Sequence, residues 1–189
     1  MRIVGGSLSG RKIEPPLSRA TRPMMDRIRE SLFNILAHHE WGNDIGELFS
    51  AKTEVLDAFC GTGALAFESL SWGAGHATLF DKESEALTIA TQNAAALGLK
   101  GRCNIQMADA LAPPPPRAPK PCQLVFLAPP YRKELIPPSL AALDAKGWIA
   151  PHAVIVAETA RKEELPLPEN FTLVLQRFYS DTGLHFLVR

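Results

Sequence analysis

The stretch Val55-Leu56-Asp57-Ala58-Phe59-Cys60-Gly61-Thr62-Gly63 decides the fold of this chain. An apolar strand runs into the acidic residue Asp57. Gly61 and Gly63 then allow the backbone to turn sharply and to approach a ligand, because neither carries a Cβ atom. A helix that starts near Gly63 directs its free backbone N–H groups toward that ligand. The stretch therefore predicts a strand–turn–helix unit that forms a cradle for a nucleotide-like molecule.

Strands and helices alternate along the chain after Glu54. Apolar runs predict strands over 54–59, 77–80, 103–107, 123–127, 153–158, 172–179 and 184–188. Helical spacing of apolar residues predicts helices near 63–71, 83–97 and 134–145. This alternation implies a parallel sheet with helices on both faces, and the short connection 180–183 makes the last two strands an antiparallel hairpin. We predict an α/β fold: a doubly wound, mostly parallel, seven-stranded sheet of Rossmann-like architecture.

The chain of 189 residues fits one domain, which we predict to span 1–189. Residues 1–20 indicate short strands and turns, and a helix capped by Thr21 is expected to run to His38 or His39. Residues 1–40 therefore form a predicted N-terminal extension with a small β-hairpin and a helix, ahead of a core over 54–189. The proline-rich run 112–121 predicts an extended connector.

Composition excludes several classes of protein. Hydrophobic residues make up 46% of the chain and charged residues 21%, as in an ordinary globular protein. No apolar run reaches the length of a membrane span, so no membrane association is expected. The three cysteines lack the spacing of metal ligands. We therefore expect neither a metal site nor disulfides, which fits a reducing cytoplasm.

The formal net charge is zero, but the charge is distributed unevenly. Residues 1–30 carry seven Arg and Lys side chains against three Asp and Glu side chains, an excess of four positive charges. Such a segment is typical of a face that contacts phosphates. A merely solvated surface explains the charge equally well.

Three acidic residues follow three successive predicted strands: Asp57, Asp81 and Asp109. The carboxyl ends of parallel strands line one crevice, where ligands bind. Asp81 is placed to accept both ribose hydroxyls of a nucleoside, and Asp109 to accept the exocyclic amine of adenine, with Ala110 leaving room for the ring. The predicted cofactor-binding residues are Asp57, Phe59, Gly61, Gly63, Asp81, Lys82, Asp109 and Ala110.

The glycine motif is compatible with two cofactors. Residues 61–66 also match the G-x-G-x-x-A fingerprint of NAD-binding proteins, and Asp81 matches its ribose-binding acid. Asp57 favours S-adenosylmethionine, because a pyrophosphate gains nothing from a carboxylate nearby. The chain also offers no separate substrate domain for hydride transfer. An NAD-dependent oxidoreductase stays an alternative at this point.

A second segment, Leu124-Val125-Phe126-Leu127-Ala128-Pro129-Pro130-Tyr131, predicts a buried strand that ends in a rigid ledge. Pro129 and Pro130 fix the backbone, and Tyr131 offers an aromatic face worth about 1–3 kcal/mol for a stacked base. An exocyclic amine is a poor nucleophile, and acceptor oxygens placed around it favour the form in which its lone pair is available. Cradle and ledge together indicate methyl transfer to such an amine, with Ala128, Pro129, Pro130 and Tyr131 as the predicted catalytic segment.

The chain resembles the family of 16S ribosomal RNA guanine-N2 methyltransferases almost from end to end. The resemblance rests on 1–6, 10–12, 21–23 and 26–36, on the two segments quoted above, and on 179–182. It implies S-adenosylmethionine as cofactor, a target guanine at 128–131, and RNA contacts at Arg11, Arg22 and Arg27. It also implies a substrate that is small-subunit RNA within an assembled or assembling 30S subunit. We further expect the protein to act as a monomer.

The sequence departs from the family pattern at the ledge. Family members carry Asp or Asn where this chain has Ala128, and often Thr or Ser where it has Met24 and Met25. Loss of a positioned hydrogen-bonding group costs on the order of 10²–10⁴ in rate, so we expect cofactor binding to persist and transfer to be slowed or abolished. Two alternatives stay open: an adenine-N6 DNA methyltransferase, and a catalytically silent assembly factor that binds the cofactor and RNA.

Overall fold

The computed structural model describes residues 1–16, 24–42, 45, 47–116 and 121–189. Its strands are β1 Glu54–Asp57, β2 His76–Asp81, β3 Cys103–Met107, β4 Cys122–Leu127, β5 Ile149–Ala160, β6 Thr172–Tyr179 and β7 Thr182–Val188. They form one sheet of order β3-β2-β1-β4-β5-β7-β6. Neighbours from β3 to β5 are parallel, and β7 is antiparallel to both β5 and β6. The predicted doubly wound sheet with an antiparallel C-terminal hairpin is confirmed.

The chain changes direction within the sheet between β1 and β4. From β1 it progresses to β2 and β3 at one edge, and it then returns to β4, which pairs with the other side of β1. A crevice opens at the carboxyl ends of the strands at such a switch point, and ligands bind there in open α/β sheets. The two segments quoted from the sequence, 55–63 and 124–131, reach this crevice, since they contain the ends of β1 and β4 and the turns that follow.

Four helices cover the sheet in the described part of the chain: α1 Asp26–His38, α2 Ala64–Trp72, α3 Ser84–Leu97 and α4 Ile136–Ala145. The first three helices share one core with Phe126 of β4. The fourth packs on the opposite face around Trp148. Helices therefore lie on both faces as predicted, but unequally, because the segments after β3 and β5 contain no described helix.

The predicted beginning of α1 is wrong. Thr21 and Pro23 lie outside the described residues, and the helix begins at Asp26 because Met25 is extended, with φ −60° and ψ 143°. The end of α3 agrees with the sequence, since Gly98 adopts the left-handed conformation at φ 75° and terminates the helix. The predicted N-terminal hairpin is reduced to one antiparallel bridge between Arg2 and Lys12.

A buried ion pair fixes the N-terminal segment to α2. The Arg29 side chain is fully buried, and its Nε lies 3.4 Å from Glu68 Oε2. Glu68 in turn accepts the backbone N–H groups of Val4 and Gly5 at 2.7–3.2 Å. Part of the basic excess seen in the sequence is therefore internal, and Arg29 is not available to a phosphate.

The described chain contains no helix long and apolar enough to cross a bilayer. Within the same residues, no three His, Cys, Asp or Glu side chains cluster as they would around a metal ion. The proline-rich segment has neither helix nor strand over 112–116, while 117–120 lie outside the described residues. Its Pro114 carbonyl accepts the indole N–H of Trp148 at 2.7 Å.

Candidate functional site: the crevice after β1 and β4

Asp57 is a buried carboxylate at the end of β1. Its side chain is 1% exposed, and neither oxygen has a hydrogen-bond partner among the described residues. Burial raises the pKa of Asp57 from 3.8 to about 7, and the nearby Asp81 carboxylate adds to this shift. The backbone N–H groups of Ala66 and Phe59 act in the opposite direction, although neither reaches hydrogen-bonding geometry. Both oxygens of Asp57 therefore keep their acceptor capacity, although neither is exposed to solvent in the free protein.

The turn after Asp57 is held open by two glycines for different reasons. Gly61 has φ +50°, and a Cβ atom there would meet no described atom within 4 Å. Gly63 has φ +81°, and a Cβ atom there would lie 2.4 Å from the Phe67 ring. Gly63 is thus required by helix packing, whereas Gly61 borders open space. The open side of this turn fits the predicted cofactor cradle.

Asp81 holds the turn in place from the neighbouring strand. Its Oδ2 accepts the N–H of Gly61 at 2.9 Å, and its Oδ1 accepts the N–H of Glu83 at 3.0 Å. It therefore makes a local bond just before α3 and also clamps the glycine turn to β2. A carboxylate offers about four acceptor positions, so acceptor capacity is left for ligand hydroxyls.

The other predicted cofactor residues lie along the same edge. The N–H of Ala108 donates to the Asp81 carbonyl at 3.1 Å, which brings Asp109 next to the end of β2. Asp109 is exposed and accepts the N–H of Leu111 at 2.9 Å. Ala110 is 2% exposed and packs in the core. Phe59 is half-buried and Lys82 is exposed.

The ledge follows β4, which pairs with β1, so it lies beside the cradle at the switch point. Ala128 is half-buried, Pro129 is buried and Pro130 is exposed. The backbone beyond Tyr131 is strained, since Arg132 and Glu134 have φ values of 60° and 53°. Glu163 secures this turn by accepting the N–H of Arg132 at 3.0 Å.

The Tyr131 hydroxyl is held from two sides. It donates to Oε1 of Glu158, at the end of β5, and it lies 2.9 Å from the Thr182 hydroxyl at the start of β7. Because the phenol has only one proton, Thr182 donates to it. These two bonds fix the position of the hydroxyl end of the ring. Burial raises the pKa of Glu158, and the bond from Tyr131 lowers it in part.

Known proteins match this chain over nearly its whole length. The family described as "Conserved hypothetical protein 95" covers residues 1–188. Ribosomal RNA small subunit methyltransferase D of Escherichia coli K12 is 33% identical over 174 residues, which cover 92% of this chain and 82% of that protein. The chain belongs to the ribosomal RNA small subunit methyltransferase D family. The resemblance found in the sequence is confirmed.

Solved structures agree with the family assignment. An Escherichia coli protein, provisionally named a methyltransferase, is 31% identical and has a TM-score of 0.80, covering 100% of this chain and 97% of its own. An RNA methyltransferase of Salinibacter ruber, solved with S-adenosyl-L-homocysteine, has a TM-score of 0.62 at 10% identity and covers 88% of this chain and 93% of its own. At that identity the second similarity shows the fold alone.

Beside the crevice, a groove of about 510 Å³ runs between α1 and β6 of this family member. Its lining residues are Arg27, Glu30, Ser31, Asn34, Ile35, His38, His39, Leu175 and Arg177. The Ser31 hydroxyl lies 2.5 Å from the Tyr179 hydroxyl, and Tyr179 pairs with Thr182 in the hairpin. Because Thr182 also bonds Tyr131, the groove begins next to the ledge.

The three predicted RNA-binding residues do not lie together. Arg27 lines the groove, Arg22 lies outside the described residues, and Arg11 donates to the Ala96 carbonyl near the C-terminal end of α3. Since α3 begins at the crevice, Arg11 is at the far end of that helix.

Sequence reasoning underrated two polar residues of the site. Glu158 lies two residues before the end of the mostly apolar strand β5, and Thr182 begins the mostly apolar strand β7. A polar residue in that position is a usable signal in the sequence. Their contact with Tyr131 depends on the order of β5 and β7 in the sheet, which local patterns do not give.

Proposed function

We propose that this protein transfers a methyl group from S-adenosylmethionine to the exocyclic N2 of a guanine in small-subunit ribosomal RNA. The observation that carries this proposal is the unpartnered, buried carboxylate of Asp57 beside the open turn at Gly61. A buried carboxylate is costly unless it is paired. The ammonium group of an amino-acid-bearing cofactor is a suitable partner, and this group is absent from nicotinamide dinucleotides.

Each acidic residue of the cradle binds a different part of the cofactor. Asp57 accepts donors from its amino-acid end, Asp81 accepts ribose hydroxyls, and Asp109 accepts the adenine amine above Ala110. Phe59 and Lys82 lie along the same edge of the sheet and border the bound cofactor. When bound, the cofactor supplies an electrophilic methyl group on a positively charged sulfur. Asp57 and Asp81 stabilise that positive charge, and the Gly61 backbone allows close approach.

The ledge orients the base. Tyr131 stacks the target guanine, and the rigid backbone of Pro129 and Pro130 directs carbonyl oxygens toward its amino group. Acceptors in this place keep the nitrogen lone pair out of the ring system. Holding the amine in line with the methyl group supplies much of the remaining rate.

We place the RNA along the groove between α1 and β6. Arg27 and Arg177 contact phosphates there, and Asn34 and His38 offer further polar groups on the same helix face. Arg11 contacts a more distant part of the RNA, and Arg22 belongs to the same basic segment. The protein acts as a monomer on an assembled or assembling subunit in the cytoplasm.

A transfer assay tests the proposed function. Small subunits from a strain that lacks this activity are incubated with the protein and methyl-labelled cofactor, with duplex DNA as a parallel substrate. We expect label in one guanine of the RNA, at N2, and none in DNA. Asp57→Asn serves as the control that loses cofactor binding. Label in DNA alone, or cofactor binding with no transfer to subunits, would contradict the proposal.

A further inference from the structure

We propose that the carboxylate of Glu158 accepts the amino group of the target base, in place of the side chain that family members carry at position 128. This inference rests on the proposed function and deepens it. Ala128 has no polar side chain, so a side-chain acceptor, in addition to the backbone carbonyls of the ledge, must come from elsewhere if the protein is to catalyse transfer at an ordinary rate.

The pairing of β4 and β5 brings positions 128 and 158 together. Leu127 pairs with Ala157 in this parallel ladder, so Ala128 and Glu158 are the next neighbours at the carboxyl end. Adjacent strands lie about 4.8 Å apart. In a parallel pair, residues in register direct their side chains to the same face of the sheet.

The side chains of Ala128 and Glu158 lie on the same face of the sheet, as the residues that precede them in β4 and β5 show. Phe126 and Val156, two residues earlier, belong to the core under α1 and α2, whereas Leu127 and Ala157 belong to the opposite core. Alternation therefore places Glu158 on the same face as Ala128. Glu158 is longer than Asp or Asn by one methylene, and the small Ala128 side chain leaves space for it.

Tyr131 ties this carboxylate to the stacking surface. Its hydroxyl uses one acceptor position on Oε1 of Glu158. A carboxylate offers about four such positions, so Glu158 can accept a base amine beside the ring while it holds that ring in place. Burial raises the pKa of Glu158, which suits a group that also takes up a proton.

The step balances without any additional reactant. The N2 lone pair forms the bond to the methyl carbon while the methyl–sulfur bond breaks, and the electron pair of that bond stays on sulfur. The proton lost from N2 passes to the Glu158 carboxylate and from there to water.

A purely structural role for Glu158, as the holder of Tyr131, makes different predictions. If only the ring position mattered, Tyr131→Phe would lose more activity than Glu158→Gln, and a new acceptor at position 128 would rescue neither. Glu158→Gln keeps an oxygen that can bond Tyr131 but cannot take up a proton. The double variant Ala128→Asn with Glu158→Ala supplies an acceptor from the neighbouring strand instead.

The test measures transfer to small subunits across pH 5–9 for these variants. We expect Glu158→Gln and Glu158→Ala to lose on the order of 10²-fold in rate and to lose the rise of rate with pH. In the Glu158→Ala background, Ala128→Asn should raise the rate of transfer at least about tenfold. Tyr131→Phe should retain the rise of rate with pH. A second measurement needs no turnover: the affinity of the protein for small subunits in the presence of S-adenosylhomocysteine. This affinity should fall severalfold in Glu158→Ala and recover in the double variant.

The outcomes separate this inference from the proposed function. Transfer by Glu158→Gln within twofold of the wild type, or absence of rescue by Ala128→Asn in both measurements, overturns the role of Glu158 alone. Absence of transfer by the wild-type protein, with cofactor bound, overturns the proposed function as well.

Discussion

Asp57 and Asp81 lie at the carboxyl ends of the adjacent strands β1 and β2, and the Asp81 charge opposes the ionisation of Asp57. Asp81 is compensated by two backbone N–H groups, whereas Asp57 has no hydrogen-bond partner among the described residues. The free protein therefore maintains a destabilising charge at the point where the cofactor is expected to bind. Binding sites are commonly less stable than the rest of a fold for this reason.

Replacing Asp57 with Asn should stabilise the free protein at neutral pH and abolish cofactor binding. The native carboxyl has a pKa of about 7 against 3.8 in the unfolded chain, so the native state binds more protons between these values and stability falls as pH rises. The full effect above pH 7 is at most about 4 kcal/mol, and it vanishes below about pH 4. Urea unfolding at several pH values measures it. Equal pH dependence in both proteins would contradict the shift.

Replacing Gly61 with Ala should weaken cofactor binding, while it should destabilise the fold no more than Gly98→Ala does. Gly61 and Gly98 have φ values of +50° and +75°, and at neither would a Cβ atom meet a described atom within 4 Å. Each Ala variant should lose about 1–2 kcal/mol of stability from backbone strain. Only Gly61→Ala should lose affinity in a calorimetric titration with S-adenosylhomocysteine. Equal affinity in the two variants would show that the open side of this turn does not face the cofactor.

Replacing Gly63 with Ala should destabilise the fold more than Gly98→Ala does. The new Cβ atom would lie 2.4 Å from the Phe67 ring, and the backbone strain is similar at φ +81°. We expect an additional cost of about 1–3 kcal/mol. Chemical unfolding of the two variants compares these costs directly, and equal stabilities would mean that Phe67 moves freely.

Replacing Arg29 with Met should destabilise the protein by about 3–5 kcal/mol, because Glu68 would be left buried without its cation. Arg27→Met, on the exposed face of the same helix, is the matched control and should change stability by less than about 0.5 kcal/mol. Urea unfolding measures both. A small effect at Arg29 would mean that the backbone N–H groups of Val4 and Gly5 suffice for Glu68.

Replacing Arg27 and Arg177 with Gln should weaken RNA binding and lower its salt dependence. Each lost phosphate contact should reduce the slope of log affinity against log salt by about 0.7–0.9. Lys52→Gln, just before the amino end of β1, is the control outside the groove. Unchanged slopes in the groove variants would exclude this path for the RNA.

The fold was predictable because its signals are local and repeat along the chain. The alternation of strands and helices predicted the parallel sheet. The three acidic residues that follow three successive strands predicted which edge of the sheet borders the crevice. The beginning of α1 was not predictable from Thr21 and Pro23, because the extended Met25 precedes the first helical turn at Asp26.

The residues missed or misjudged depend on contacts between distant parts of the chain. Arg29 has helical spacing with the buried Leu32, Phe33 and Leu36, yet it was counted with the basic face because its partner Glu68 is 39 residues away. The contact of Tyr131 with Glu158 and Thr182 likewise requires the sheet order β4-β5-β7. Local sequence therefore predicts the residues of the glycine turn more completely than those of the ledge, because the contacts of the ledge come from distant strands.

A crystal structure of the protein with S-adenosylhomocysteine tests the central claim most directly. We expect the ammonium group of the ligand within hydrogen-bonding distance of Asp57, directly or through one water, and its ribose hydroxyls at Asp81. Its sulfur should face the segment from Ala128 to Tyr131. A ligand bound away from the ends of β1 and β2, or with its ribose and amino-acid ends at other residues, would contradict the account.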